Sequence, residues 1–291
     1  MGFLVLASLL WSVSFALIGA YDIDPDLLAA ARLGLAAIAF APLLWRCEAR
    51  TATKTSPSKR LRLAGIGALQ YGVMYVLVHR AYRHLAGHEV ALLTITTPIF
   101  VVMVEAVLSR RAMRRAWGAA GVAVAAALVL RADAVRGTDT SGDFWIGFAL
   151  VQGANLAWAA GQVLYRRVEP ETGRAGARFG WLFLGGFAVA VTWALLHVDA
   201  SALELSTDEL GVIAYLGLVP SGLAFYLWNR GATRVDVGRL AVMNNLKIPL
   251  AIAVALLPPF SESADLPRLA VSFALLLVAL GLASRRSRGA V

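Results

Sequence analysis

Apolar residues occur along the chain in long runs of about 18 to 23, separated by short basic or acidic connections. About 20 apolar residues in an α-helix are enough to cross the roughly 30 Å hydrocarbon core of a bilayer. Backbone groups find no water inside lipid, so each run is predicted to be helical. We predict ten spans, at residues 2–20, 25–45, 62–82, 88–109, 115–131, 143–165, 177–197, 209–229, 237–257 and 267–283.

The composition supports a membrane protein. The chain has 291 residues, of which 59% are hydrophobic and 15% are charged, and its mean hydropathy is +0.70. Soluble domains are usually about one quarter charged. The first run has no basic leader and is too long for a signal peptide, so we expect it to be retained as a helix.

The basic residues are unevenly distributed over the predicted connections. A net charge of +9 could suggest nucleic acid, but 20 of the 27 Lys and Arg residues fall on one side of the ten spans and 5 on the other. Basic loops resist translocation, so this asymmetry predicts that both termini are cytoplasmic. We expect a multi-pass protein of a bacterial-type inner (cytoplasmic) membrane. Cys47 falls in the first cytoplasmic connection, and a single cysteine forms no disulfide within the chain.

The second half of the chain repeats features of the first at an offset of about 150 residues. GALQYGVMYVLVHR (67–80) aligns with GLVPSGLAFYLWNR (217–230), and Gly87 and Gly238 each precede a proline by eleven residues. Five spans per repeat is an odd number, so the second repeat enters the membrane in the opposite orientation, as in many secondary transporters. We predict an all-α membrane protein of two inverted five-helix repeats, 1–131 and 143–291, with a connecting loop at 132–142 and a cytoplasmic C-terminal tail.

Lys247 is the most informative polar residue inside a predicted span. It lies ten residues into span 9, about 15 Å along a helix and so near the bilayer midplane. Asn244 is three residues earlier, on the same helix face. An ionisable side chain at this depth costs about 2.5–3.5 kcal/mol, so it needs a partner or a cavity. Lys247 could pair with Glu105, cap carbonyls near Pro249, or face a substrate pathway.

Other polar side chains recur at helical spacing in spans 3, 4 and 6. In span 3, Tyr71, Tyr75 and His79 follow one another at steps of four. In span 4, Thr97 precedes Pro98, which frees a carbonyl that a ligand could use. Span 6 places three amides and an indole on one side; these are Gln152, Asn155, Trp158 and Gln162. Each set could line a pathway or hold helices together.

Several chemistries are not encoded in the sequence. It has no G-x-x-x-x-G-K-[ST] phosphate loop, no H-E-x-x-H and no His/Cys cluster, so we predict no cofactor, no metal site and no enzymatic activity. His79 and Glu105 could carry protons if transport is proton-coupled. Arg32 and Arg178 lie at equivalent depths in the two repeats, and we interpret them as structural or gating charges.

These motifs resemble the EamA branch of the drug/metabolite transporter superfamily. The resemblance rests on a tryptophan in the first helix of each repeat (LLWSVSF and LAWAAGQ), on ARLG and ARFG in the second, and on the Gly-to-Pro spacing before the fourth. The family usually has a Glu thirteen residues after each such proline; Glu262 fits, but Arg111 replaces the first. The resemblance implies export of amino acids, including aromatic ones, and similarity of Trp158 and Tyr71 to aromatic cavity residues.

We therefore expect a secondary transporter that exports small amphipathic metabolites, above all amino acids, by alternating access. Its cavity would lie between spans 1, 3, 4, 6, 8 and 9, and its partners would be a small-molecule substrate and the lipid bilayer, with no nucleic acid. The predicted substrate-binding residues are Tyr71, Tyr75, His79, Thr97, Gln152, Asn155, Trp158, Asn244 and Lys247. Alternatives are a carrier of phosphorylated or nucleotide sugars, a membrane-embedded lipid enzyme and a passive channel.

Overall fold

The computed structural model describes residues 1–18, 21, 23–49, 54–85, 87–130, 142–168, 178–256 and 265–284, and every regular element within these ranges is helical. Ten long helices follow one another in this part of the chain. They are α1 (Gly2–Ile18), α2 (Pro25–Ala49), α3 (Pro57–Ala81), α4 (Gly87–Leu93, Thr94–Thr96 and Thr97–Ser109), α5 (Arg114–Leu130), α6 (Gly142–Val168), α7 (Gly180–His197), α8 (Thr207–Ala232), α9 (Val237–Met243 and Lys247–Ala255) and α10 (Leu266–Ser284). A short 3-10 turn, Ala200–Leu203, precedes α8.

Each predicted span coincides with one of these helices. Seven of the helices in the described part are long and apolar enough to cross a bilayer. The other three are α1 and α5, with 17 residues each, and α6, which carries the amides of span 6. The described part of the chain is thus all-helical and has the helix lengths of a multi-pass membrane protein, whereas the full count of ten spans stays a prediction.

Two predicted boundaries are wrong. The third helix begins at Pro57, not near residue 62, because the Ser56 side chain accepts a hydrogen bond from the Lys59 amide and a proline suits the first helical turn. Cys47 is buried in the last turns of α2, not in a loop. The predicted connecting loop, Glu262 and the C-terminal tail fall largely or wholly outside the described residues.

The helices pack in a pattern in which each half supports the other. The third and fourth helices of the first half, α3 and α4, pack against α6, while α8 and α9 pack against α1. Likewise α2 packs against α8, and α7 against α3, while α2 meets α7 and α5 meets α10. If each helix is replaced by the helix at the same place in the other half (α1 by α6, α2 by α7 and so on), the same set of helix contacts results.

Irregular turns also occur at matching places in the halves. Ala68–Val73 of α3 and Gly217–Ala224 of α8 are π-helical. The fourth and ninth helices are both interrupted just before a proline, at Thr94–Thr96 and at residues 244–246. Because π-helical turns and helix breaks leave backbone groups without their usual partners, side chains from neighbouring helices are needed there.

Charged contacts divide the bundle into two ends. At one end, which we call the basic end, Glu48 pairs with Arg60 and accepts a hydrogen bond from the Trp181 indole at 3.3 Å, and Arg167 pairs with Glu105 at 2.9 Å. At the other, the acidic end, Asp26 contacts His79 and Asp143 contacts His84. A pocket of about 410 Å³ at the acidic end is lined by three further acids, Asp24, Glu204 and Glu209.

Small residues bring α3 and α7 into close contact. A Cβ atom added at Gly67 would overlap the backbone carbonyl of Leu182, and one added at Gly185 would overlap that of Ala64. Such close approach is how helices in membranes gain packing energy. It also fixes the π-helical turn of α3 against α7.

We predict that Gly67→Ala destabilises the protein, whereas Gly65→Ala, one turn or less away, does not. A Cβ at Gly67 must push α7 away, at a cost of about 1–3 kcal/mol. A Cβ at Gly65 meets nothing within 4 Å and improves helix propensity. Thermal unfolding of the purified variants in detergent measures the difference, and equal midpoints would contradict this packing.

Candidate functional site

An aromatic cluster lies where the two halves meet. Trp11 of α1 lies 5.7 Å from Trp158 of α6 and 5.0 Å from Trp228 of α8, measured between ring centroids. Tyr71 of α3 stacks on Phe225 of α8 at 4.5 Å with nearly parallel planes. All five rings are buried. Their packing closes the centre of the bundle and provides flat apolar surfaces there.

Asn244 joins this cluster to α9. Its side-chain oxygen accepts hydrogen bonds from the indole of Trp158 at 2.8 Å and from the amide of Gln162 at 3.4 Å. Gln162 accepts the indole N–H of Trp228 at 3.1 Å. The Asn244 amide also donates to the carbonyl of Leu240 at 2.9 Å. The indole N–H groups of Trp158 and Trp228 thus belong to one connected network at the interruption of α9.

The interruption of α4 is held by the other amides of α6. The Asn155 side chain donates to the Leu93 carbonyl at 3.0 Å and accepts from the Thr97 hydroxyl at 3.1 Å. Gln152 accepts a 2.6 Å hydrogen bond from the Thr96 hydroxyl. As expected for a residue before a proline, Thr97 also satisfies a freed carbonyl, that of Thr94, at 2.6 Å.

Lys247 begins the second segment of α9, one turn after Asn244. It is half-buried, and within the described part of the chain no hydrogen bond or ion pair reaches its ammonium group. The predicted alternative of a pair with Glu105 is wrong, because Glu105 pairs with Arg167 at 2.9 Å at the basic end. The ammonium group therefore remains available to an anion.

Tyr75 and His79 lie apart from the centre, toward the acidic end. Their rings are 5.6 Å apart and stacked. The Nδ1 atom of His79 is 3.5 Å from a carboxylate oxygen of Asp26, whose other oxygen is 4.0 Å from Arg83. Both His79 and Asp26 have side chains that are mostly buried. This group forms a titratable contact between α2 and α3.

The sequence analysis missed a reciprocal amide pair between the halves. Gln70 and Asn229 exchange hydrogen bonds of 3.0 and 3.1 Å, and Asn229 also donates to the Tyr71 hydroxyl at 2.9 Å. All three residues are 0% exposed. The signal was an amide inside each of two aligned apolar runs, Gln70 in the first and Asn229 in the second.

The predicted site residues thus form two groups. The central group, which surrounds the interruptions of α4 and α9, contains Tyr71, Thr97, Gln152, Asn155, Trp158, Asn244 and Lys247. The second group is Tyr75 with His79, and it joins the first through Phe225, whose ring is 6.3 Å from Tyr75. Glu105 belongs to neither. All six helices expected around the cavity contribute to the central region.

Comparison with known proteins assigns the chain to a family. The model of the EamA-like transporter family matches residues 1–132. A probable biotin transporter from Pseudomonas aeruginosa is 37% identical over 287 residues, which cover 96% of each chain. The chain belongs to the EamA-like transporter family. This EamA-like protein is therefore a transporter and not an enzyme, and the resemblance to the drug/metabolite transporter superfamily is confirmed.

Other relatives of the EamA-like protein differ in their substrates. A biotin transporter from Escherichia coli (strain K12) is 36% identical over 261 residues, or 88% of this chain and 84% of that protein. The aromatic amino acid exporter YddG from Ancylobacter novellus is 28% identical over 161 residues, or 54% and 53% of the two chains. One solved crystal structure matches with a TM-score of 0.77 over 97% of this chain and 95% of its own, at 20% identity, so it shows the same fold.

We predict that Gln70→Leu and Asn229→Leu each destabilise this EamA-like protein. The double variant should lose less stability than the sum of the two single losses. Either single change leaves a buried amide without its partner, at a cost of about 1–3 kcal/mol, whereas removing both amides is closer to neutral. Thermal unfolding in detergent measures all three, with Thr192→Val on the exposed face of α7 as the control. Additive losses would contradict the pairing.

Proposed function

We propose that the protein is a secondary transporter of biotin. The observation that carries this proposal is the ammonium group of Lys247, which has no hydrogen bond or ion pair in the described part of the chain. Lys247 begins the helix segment that directly follows Asn244 and its network of amides and indoles. Relatives that match most of the chain are named biotin transporters. Biotin combines the groups that such a site can recognise: a carboxylate, an apolar chain and ring, and a ureido group that both donates and accepts hydrogen bonds.

Each part of biotin has a chemical counterpart among the central residues. Lys247 would bind the carboxylate by a charge-assisted hydrogen bond. Asn244 and Gln162, whose side-chain oxygens accept hydrogen bonds from indole N–H groups, would offer donors and acceptors to the ureido group. Trp11 and Trp158 would contact the apolar ring. In the structure their rings are in contact, so the substrate must separate them to bind.

Export of aromatic amino acids is the second candidate. The aromatic cluster and the partial match to an aromatic amino acid exporter favour it. An amino acid also carries an ammonium group, which needs an anion or several acceptors. In the part of the chain that the structure describes, Asp26 is engaged with His79 and Glu105 with Arg167. A monoanion without an ammonium group therefore fits the central charge better, and one lysine suits a phosphate dianion less well.

We further propose that two inverted five-helix repeats, 1–131 and 143–291, supply the alternating access. The matched π-helical turns, the matched helix interruptions and the exchange-symmetric helix contacts support this arrangement. The centre is built from both repeats, so rocking one against the other would open it to each side in turn. The contrast between the basic and acidic ends supports cytoplasmic termini in an inner membrane.

His79 is the better of the two proton-carrier candidates. It is mostly buried against Asp26, on a helix that also carries Tyr71 of the central group. Glu105 lies at the basic end, and its carboxylate is engaged by Arg167, itself 40% exposed. Protonation of His79 would strengthen its contact with Asp26 and so couple α2 and α3 to pH.

We predict saturable biotin transport by the wild-type protein in proteoliposomes. Tryptophan, the substrate expected from the second candidate, is tested in parallel. Lys247→Met should raise the apparent KM for biotin about tenfold or more, because a hydrogen bond to a charged group is lost, whereas Lys247→Arg should retain much of the affinity. Lys54→Met, at an exposed lysine, is the control. Transport of tryptophan but not biotin would favour the second candidate, and an unchanged Lys247→Met would refute the role of Lys247.

We predict that His79→Gln abolishes the response of transport to an imposed pH gradient, while biotin exchange at equal pH persists. The reason is that exchange needs the substrate site but no net proton movement. Glu105→Gln should leave the pH response intact. The measurement is tracer flux into proteoliposomes with and without the gradient, and a pH response that survives in His79→Gln would exclude this residue as the carrier.

A further inference from the structure

Arg32 is a buried cation that the central site does not use. It lies seven residues into α2, about 10 Å from the acidic end of the helix, and is 6% exposed. Its Nε–H donates a 2.9 Å hydrogen bond to the hydroxyl of Ser221. Its guanidinium carbon lies 5.2 Å from the centre of the Tyr75 ring. Helices α2, α3 and α8 therefore all hold this side chain.

No carboxylate pairs with Arg32 among the residues that the structure describes. Asp26, two turns earlier on the same helix, is occupied by His79 and Arg83. A guanidinium group has five N–H donors, of which Ser221 takes one. A neutral hydroxyl and an aromatic face compensate a buried charge only in part, since buried charges are otherwise paired. The remaining donors form a planar fork that matches a carboxylate.

The π-helical turn of α8 fixes the direction of this fork. Ser221 lies within Gly217–Ala224 and is 0% exposed. Gly217 lets this turn approach α2 closely, since a Cβ added there would lie 2.8 Å from the Leu35 side chain and 3.4 Å from the Arg32 Cα. The Pro220 carbonyl accepts the indole N–H of Trp11 at 2.9 Å, which ties the same turn to the aromatic cluster.

We propose that Arg32 is a second binding station for the substrate carboxylate, between the acidic end and Lys247. This inference rests on the proposed function, in which the substrate is an organic monoanion. Lys247 lies about 15 Å from the basic end of α9, so the two cations succeed one another along the bundle axis. Two binding sites of moderate affinity let an anion enter and leave more readily than one site of high affinity, as in the multi-site pathways of channels.

The same residue would also select against uncharged substrates. Tyr75 and Ser221 hold the guanidinium group with neutral partners only, so its charge is undiminished for an arriving anion. Arg32 lies over the ring of Tyr75, which stacks on His79, and His79 in turn contacts Asp26. Arg32 is thus the specificity-determining residue of the half that faces the acidic end.

The test compares biotin with its uncharged methyl ester in proteoliposome flux. Arg32→Met should raise the apparent KM for biotin about tenfold or more and leave that for the ester unchanged, because only the acid loses a charge-assisted hydrogen bond. Arg32→Lys should retain part of the preference. Ser221→Ala, which keeps the charge but removes its orienting partner, should show a smaller loss confined to the acid. Arg62→Met, at an exposed arginine of α3, is the control.

The outcomes separate the two proposals. Equal losses for acid and ester in Arg32→Met and Arg32→Lys would show a structural cation and overturn this inference alone. Unchanged transport of both substrates would do the same. If Arg32→Met does not fold, the acid-to-ester ratios of Arg32→Lys and Ser221→Ala decide, and unchanged ratios overturn the inference. Absence of saturable biotin transport by the wild-type protein would overturn the proposed function, and this inference with it.

Discussion

The centre of this protein depends on the need to satisfy polar groups where hydrocarbon supplies no partner. Two prolines and two π-helical turns interrupt the backbone hydrogen bonding of four helices. Side chains from other helices replace what is lost. Asn155 takes the Leu93 carbonyl, Trp11 takes the Pro220 carbonyl, and Asn245 donates to the carbonyls of Ile95 and Ala123 at 2.9 and 3.0 Å. These contacts join the two halves at the places where the backbone hydrogen bonding of each half is interrupted.

Two cations stand out against this background of satisfied groups. Within the described residues the ammonium group of Lys247 has no hydrogen-bond or ion-pair partner, and Arg32 has only neutral partners. An unpaired charge in a bundle interior is costly, and under the proposed function the substrate carboxylate would supply the missing anion. The first half has neutral Thr96 where the second has Lys247, after the one-residue shift of the repeat. The two proposed repeats therefore differ in charge at the Lys247 position, whereas Arg32 aligns with Arg178.

The helical plan could be predicted from the sequence because each apolar run has one solution in lipid. Helix ends were less predictable: Ser56 and Pro57 start α3 earlier than hydropathy suggests, since capping and not apolarity sets that boundary. Trp158, Asn244 and Thr97 were identified because polar or amphipathic groups are conspicuous in apolar runs. Contacts between helices could not be predicted in this way. The pairing of Gln70 with Asn229, for example, spans 159 positions and depends on how α3 and α8 meet. The contact of Arg32 with Ser221 likewise depends on the π-helical turn, which spacing does not reveal.

The most direct test of one central site with alternating access is thiol labelling from each side of the membrane. Thr96 lies at the interruption of α4 beside Gln152, so Thr96→Cys places a reporter at the centre, in a Cys47→Ala background. Oriented vesicles would be treated with a membrane-impermeant thiol reagent on one face or the other, with and without biotin. We expect labelling from both faces and a biotin-dependent change in the labelling rate on each face. Labelling from one face only, or rates that biotin does not alter, would contradict it.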